Sequence, residues 1–488
     1  MDNSIRYLYG AAVQGIQNFI FQTNQLQDII GASELVENIC STAFDEYGKN
    51  CGTPVVRAAG NIKHIFDNKE DCKKAVLEFP KKVMTMAPGI TVSQAVVALD
   101  GSMDFGQAVE ELEARLRIQR NKPSKNLNFC YSGVLRSRKT GLPVVKVTDS
   151  EFIDMGTDKK RAQISSAKYN LCNKFFGCDI NHKDFAYNID DITGHNDWIA
   201  IIHADGNGLG QVVQKIGKSE DSLKEFSYAL GQSTQNAAQN AFSRAIQSNR
   251  NTNAIPFRPI ILGGDDLTVI CKGDLAIPFT KYFLGEFEME TKKNIGNILK
   301  SCNCSIEYLT ACAGIAFIKS SYPFYYGYNL AETLCSEAKK NAKAPGNLID
   351  GLAPSCLMFH KVQDSFVESY EEIVKRELTL DQGKTLKFGP YYLSGRIPNN
   401  HWNIDRLISS AKLLEDEDGN AFKSGLRQWL SLAYQSIEKA EQKKSRLEKI
   451  IPHKFVQDLS DFTNPDNGRY PVYDILCLNT INNQKTNL

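Results

Sequence analysis

The stretch RPIILGGDDLTVICKG, Arg258 to Gly273, decides how the rest of the chain is read. Two apolar runs, Pro259–Leu262 and Leu267–Cys271, flank the turn Gly263-Gly264-Asp265-Asp266. Glycine supplies the positive φ that a tight reversal needs, so the stretch predicts a β-hairpin. Two adjacent carboxylates at its tip repel each other unless solvent or a cation separates them, and hard divalent cations take oxygen ligands. Asp and Gly are also ordinary turn residues, so the motif gains meaning only from partners elsewhere in the chain.

Those partners lie upstream and downstream. A strand, Trp198–Asp205, runs into the Gly-rich GNGLGQVVQKI and, after a break near residues 218–221, a helix to about Ser248. After the hairpin come a helix from Ile277 to about Leu299, a strand Tyr308–Ile318, a helix Phe324–Lys343 and an apolar strand Ser355–Val362. The same order occurs earlier: strand 5–13, a helical stretch from Ile16 to about Tyr47, a hairpin Val55–Phe66, a helix Glu70–Met86, a strand Ile90–Leu99 and a helix Phe105–Arg120. Both read β-α-β-β-α-β-α, the order of a ferredoxin-like fold, and they are taken as an internal duplication. YLYGAAVQGIQNFI is set against AIIHADGNGLGQVV, AAGNIKHIF against GGDDLTVIC, and TVSQAVVAL against LTACAGIAF.

The two copies differ where chemistry would sit. Asp205, Asp265 and Asp266 stand in the second copy where Ala12, Gly60 and Asn61 stand in the first. The first strand and the hairpin are neighbours in such a sheet, so the three carboxylates are expected at one edge. They are candidate ligands for Mg²⁺ or Mn²⁺, ions that could activate a hydroxyl and stabilise the leaving group of a phosphoryl displacement. Gly206, Asn207, Gly208 and Gly210 lead into a helix start, where small residues and free N–H groups suit a polyphosphate. Lys339, Lys340 and Lys343 lie within about a turn of one another. One facing the site could neutralise a triphosphate, with Lys339 and Lys343 the candidates; an exposed face with Glu337 as partner is the reading for at least two of the three.

At 488 residues, several domains are expected. A hydrophobic content of 42% and a charged content of 23% describe an ordinary globular protein. No apolar run is long enough to span a membrane, and the first residues lack the pattern of a cleaved leader, so a cytoplasmic location is expected. The thirteen cysteines show no regular framework and read as reduced core residues. Net charge is only +1, yet residues 115–168 hold thirteen Lys and Arg against four Asp and Glu. That segment could follow an RNA backbone or dock an acidic partner; a solvated connector is the equal alternative.

The chain resembles the palm domains of the large subunit of type III CRISPR effector complexes, relatives of GGDEF-type cyclases and polymerase palms. HADGNGLG (His203–Gly210), the GGDD hairpin, AAVQGIQNFI…QLQDIIGASELVENI (Ala11–Ile39), AGIAFI and EAKKNAK carry the likeness. The resemblance implies an α+β chain with two ferredoxin-like palms, the first degenerate. It also implies a second palm that joins ATP 3′ to 5′, releases pyrophosphate and makes a cyclic oligoadenylate messenger in antiviral defence. By position, Asp205, Asp265 and the Gly206 carbonyl would hold metal beside Asp266, and Gly263 and Gly264 would border the nucleotide. The first palm would supply a second nucleotide pocket without carboxylates. Effector-complex subunits or a second copy of the chain are possible partners.

The chain starts almost at its first palm strand, so no HD-type nuclease activity is expected. The family's paired CxxC zinc ligands are missing: Cys130, Cys172, Cys178 and His182 occupy that region, and buried thiols with a surface His are favoured over a zinc site. The expected divisions are 1–120, degenerate palm; 121–194, basic connector; 195–366, catalytic palm; and 367–488, a helical domain packing on the second palm. Within the last, Lys387–Pro398 reads as Pro/Gly-punctuated loop, and Trp402–Leu414 and Gly425–Ile450 as helices. Two other functions stay open. One is the same chemistry with another product, a cyclic mono- or dinucleotide or adenylyl transfer to a small acceptor. The other is a catalytically idle RNA-binding or scaffold subunit.

Overall fold

The computed structural model describes residues 5–58, 60–122, 133–148, 151–165, 170–177, 189–193, 197–247, 255–364, 369–395, 397–415 and 417–483. Cys130, Cys178 and His182, three of the four candidate zinc ligands, lie outside them, and Cys172 is buried.

The first palm is an antiparallel sheet of β1 (Arg6–Gln14), β2 (Thr53–Ala58), β3 (Asn61–Phe66) and β4 (Thr91–Leu99), in the order β2-β3-β1-β4. Successive side chains of β1 alternate between two cores, as a period of two requires. Tyr9, Ala11 and Val13 join the core of helices Leu26–Cys40 and Lys69–Met86, while Leu8 joins Leu112 and Leu116 of helix Phe105–Arg120.

The connector includes a two-stranded ribbon, β5 (Val144–Val147) and β6 (Phe152–Asp154), and helix Met155–Ser165. Two of its basic residues turn inward. Arg161 pairs with buried Asp28 at 2.7 Å and with Glu151 at 2.8 Å, and the buried Lys160 ammonium donates to the Phe19 carbonyl at 2.6 Å. Arg115, Arg120, Lys139 and Lys146 also have acidic partners within the chain.

The second palm has six strands: β7 (Trp198–Gly206), β8 (Phe257–Gly263), β9 (Asp266–Lys272), β10 (Ala311–Lys319), β11 (Cys356–Lys361) and β12 (Tyr391–Tyr392), in the order β12-β11-β10-β7-β9-β8. Helices Glu220–Gln247 and Gly273–Ser301 pack on each other. Helix Phe324–Ala342 makes the crossover from β10 to the parallel β11 and packs on β10 and β7. Central β7 is therefore apolar along almost its whole length, with Asp205 the residue that escapes full burial near its end.

The register supports the duplication and corrects one part of it. Ala12 pairs with Asn61 across β1 and β3, and the β7–β9 register extends from Ala204↔Leu267 to set Asp205 beside Asp266. Ala12 also pairs with Ser93, whereas Asp205 pairs with Cys312, so Ser93 corresponds to Cys312 and the third segment is displaced by one residue from the sequence comparison. The palms meet where the segment after β1 touches helix Phe324–Ala342: Gln17 Nε2 donates to the Tyr328 hydroxyl at 2.7 Å, and Phe21 stacks on Tyr328 with centroids 4.8 Å apart.

Two sequence expectations fail in the C-terminal part. The expected loop holds β12, buried and paired to β11, because two residues are too short to show a period. The expected long helix breaks at residues 434–436 into Glu417–Ala433 and Ile437–Leu447. Helix Val472–Asn482 is buried nearly throughout and packs on helices Gly273–Ser301 and Ile404–Leu413, so one apolar core runs from the first palm into these helices.

Candidate active site

Chain direction and pleat bring the carboxylates together. Asp205 lies on the same face of β7 as Ile201 and His203, the face covered by helix Phe324–Ala342; its cross-strand neighbour Asp266 opens β9. Gly263 and Asp266 close a two-residue turn in which Gly264 takes φ +63°, leaving Asp265 at the tip. Carboxylate oxygens of Asp205, Asp265 and Asp266 lie within 4.8 Å of one another. This is the one such cluster of metal-ligating side chains among the described residues.

Helix Phe324–Ala342 adds the opposing charge. Lys339 Nζ is bonded to Asp205 Oδ2 and donates to the Gly206 carbonyl at 2.8 Å. Burial works against this ammonium, but the Asp205 carboxylate outweighs it and holds its pKa above the usual range. Burial, reinforced by the Asp205 charge, pushes Asp265 up to about 7. Burial and the Asp265 charge push Asp266 well above the carboxylate range. Three carboxylates crowded against one ammonium thus lack positive charge, and their all-oxygen donor set fits a hard divalent cation.

A cleft of about 700 Å³ opens beside the triad. Asp205, Gly206, Asn207, Gly208, Gly210 and Asp265 line it, as do Lys339 and Lys343. Lys340 is exposed and pairs with Glu337, and Lys343 is exposed while lining the cleft, so two of the three lysines reach solvent and Lys339 alone is held at the triad. Gly263 and Gly264 shape the turn without lining the cleft; the Thr234 hydroxyl holds the Gly264 carbonyl at 2.6 Å. Gly208 takes φ +70° to start helix Leu209–Ile216, as Gly15 at φ +74° starts the matching helix of the first palm.

The Asn207 side chain does not face the cleft. It is buried and donates to Thr310 Oγ1 at 3.1 Å and Cys312 Sγ at 3.3 Å, fixing the backbone that follows Asp205. His203 is held by Thr268 across the strands at 3.0 Å, and burial pushes its pKa down to about 4. Sequence reasoning missed Lys215 and the far wall made by Cys304, Ser305, Ile306, Leu348 and Leu352. Lys215 follows the Gly-rich motif by a helical turn and a half and could have been found that way; the wall residues sit in loops without a pattern.

The first palm has closed over the matching place. A Cβ at Gly60, the counterpart of Asp265, would meet Ile16 Cδ1 at 2.6 Å, and Gly60 has φ +87°.

Residues 198–345 match the family described as Cas10/Cmr2, second palm domain. No curated protein matches the chain in sequence. The fold resembles Csm1 in three crystal structures: a Csm1–Csm4 cassette with cA4 (TM-score 0.55, 13% identity, covering 98% of this chain and 69% of that one); the cassette with pppApApA (0.56, 12%, 99% and 70%); and a Csm1–Csm4 subcomplex of the type III-A CRISPR-Csm interference complex (0.55, 12%, 98% and 69%). Residues 198–345 are thus matched to the second palm domain of Cas10/Cmr2, and the fold of the whole chain is similar to that of Csm1.

Proposed function

We propose that this chain is a metal-dependent nucleotidyltransferase that joins ATP 3′ to 5′, releases pyrophosphate and makes a cyclic oligoadenylate as part of a CRISPR-type antiviral effector. The observation that supports it most is the meeting of Asp205, Asp265 and Asp266 beside a cleft that Lys339 and Lys343 also line. Asp205, Asp265, Asp266 and the Gly206 carbonyl are the groups that would hold Mg²⁺ or Mn²⁺. Such an ion, when bound, neutralises a triphosphate and lowers the pKa of the attacking hydroxyl.

The chain's own residues supply the rest. The N–H groups of Leu209 and Gly210, in the first turn of helix Leu209–Ile216, have no helical acceptor and are available to phosphate oxygens. Lys343, exposed at the cleft, adds a positive charge toward departing pyrophosphate. The wall of Ile306, Leu348 and Leu352 offers apolar surface to a base. The similar Csm1 structures hold cA4, pppApApA or ATP and include Csm4, which makes adenine nucleotides the substrate class to test and a Csm4-like subunit the partner to seek. An RNA role for the connector has less support, because Arg115, Arg120, Lys139, Lys146, Lys160 and Arg161 have partners within the chain.

The test is to incubate the full chain, alone and with its co-purified partners, with each labelled NTP and Mg²⁺ and to identify products by mass spectrometry. Cyclic oligoadenylate from ATP, lost in the Asp265→Ala/Asp266→Ala variant, is expected. Equal product from that variant would overturn the assignment, and a cyclic mono- or dinucleotide would replace the product named here.

A further inference from the structure

Lys339 already holds two of the groups that a divalent cation would need. Its ammonium is bonded to Asp205 Oδ2 and to the Gly206 carbonyl, two of the four proposed ligands. Its neighbours do not share this position. Lys340 is turned to Glu337, and Lys343 is exposed with no contact to the triad. The helix that delivers Lys339 lies tight against the sheet, so the ammonium is presented by a fixed element rather than by a loop.

Two cations compete for the same oxygens. A divalent ion that takes Asp205 and the Gly206 carbonyl weakens both acceptors of the ammonium and sets a like charge beside it, so it favours the ammonium's departure. Lysine is a point charge on a four-carbon stem with several rotamers, so it can leave without movement of its helix if another acceptor is in reach. The cleft beside it is where a triphosphate would lie, and phosphate oxygens are such acceptors.

We propose that Lys339 is an exchangeable counter-ion: at rest it occupies Asp205 and Gly206, and the phosphates of an arriving nucleotide draw it away and open those oxygens to the divalent cation. Metal and nucleotide then bind with a positive coupling that passes through one side chain, and by linkage each raises the affinity of the other by the same factor. The inference rests on the reading of the triad as a metal site, and it adds an order to events there. Without nucleotide the site discriminates against the metal; with nucleotide it accepts it.

The test is a titration of the full chain with Mn²⁺, followed by the electron paramagnetic resonance signal of the free ion, without nucleotide and with AMPPNP. Without nucleotide, Lys339→Gln is expected to bind Mn²⁺ about fivefold tighter or more than the wild type, within the usual range of site-to-site couplings. AMPPNP should then raise the Mn²⁺ affinity of the wild type by a larger factor than that of the variant. Lys339→Ala, which removes the stem as well, should behave like Lys339→Gln. Lys343→Gln, an exposed and solvent-screened charge, should change nucleotide-free binding by less than about twofold. The proposal is overturned if Lys339→Gln binds Mn²⁺ no tighter than the wild type, or if Lys343→Gln gains as much. Mn²⁺ binding that survives Asp205→Asn unchanged, or that is missing from the wild type even with AMPPNP, overturns the metal site itself and the proposal with it.

Discussion

Gly314 on β10 lies so close to Ala331 in helix Phe324–Ala342 that an added Cβ would sit 1.9 Å from the Ala331 carbonyl oxygen and 2.4 Å from the Cys335 nitrogen. Backbone rather than side chain fills the space, so nothing soft can yield. The missing side chain is what lets the helix approach β7 and β10 and deliver Lys339 to Asp205.

Gly314→Ala should therefore push the helix off the sheet. We expect a stability loss of about 1–3 kcal/mol or more from overpacking. Turnover should fall further than stability alone accounts for, because Lys339 and Lys343 move with the helix. Thermal denaturation and product formation, measured on the same preparation, check the two parts.

Asp265→Asn and Asp266→Asn should each lower turnover by at least about 100-fold, since each removes a charged oxygen from the triad. Neither should lower the melting temperature of metal-free protein. Both carboxyls are already disfavoured as anions by burial and neighbouring charge, and an amide of the same shape relieves that repulsion. A clear drop in melting temperature for either variant would contradict this account.

Asn207→Ala should cost roughly 1–3 kcal/mol, because it removes a buried amide that donates to Thr310 and Cys312. It should also weaken metal binding, because the Gly206 carbonyl precedes the loosened residue. Denaturant unfolding and Mn²⁺ titration separate the two effects.

Asp474, fully buried with its carboxylate accepting from the Tyr391 hydroxyl at 2.7 Å, is pushed up to about 7 by burial. Its unfolded pKa lies near 4, so between about pH 4 and 7 the folded state binds more protons than the unfolded one. This group therefore stabilises least above pH 7. Asp474→Asn, which can still accept from Tyr391, should gain on the wild type as pH rises through that window, by a few kcal/mol at most. Unfolding free energies of both proteins from pH 4 to 8 give the difference; a flat difference would sink the prediction.

The triad was legible in the sequence because its three residues differ together from Ala12, Gly60 and Asn61 in a repeat of the same element order. Strand and hairpin neighbours follow from topology, and β7 and β9 are indeed adjacent. The one-residue error in the third matched segment arose because the small residues Ala311, Cys312 and Ala313 fit Ser93 in either register. Asn207 was read with the glycines around it because that run leads into the free N–H groups of a helix start; the buried Thr310 and Cys312 that claim its side chain lie more than a hundred residues away. Gly314 carried no signal at all, since a close approach of two backbones leaves no mark on composition.

The Ile16 side chain that crowds Gly60 keeps the first half unlike the second at the one turn where the acids differ. Acids placed at residues 12, 60 and 61 would not copy the triad unaided, because a side chain at position 60 would have to turn the tip of Ile16 aside and take a strained φ of +87°. Ile16 in turn adjoins Gln17, which with Phe21 is engaged with Tyr328 of the other half. The first palm is a brace for its twin: the segment that crowds its own turn is also the one that grips helix Phe324–Ala342, so a change made at either end is felt at the other.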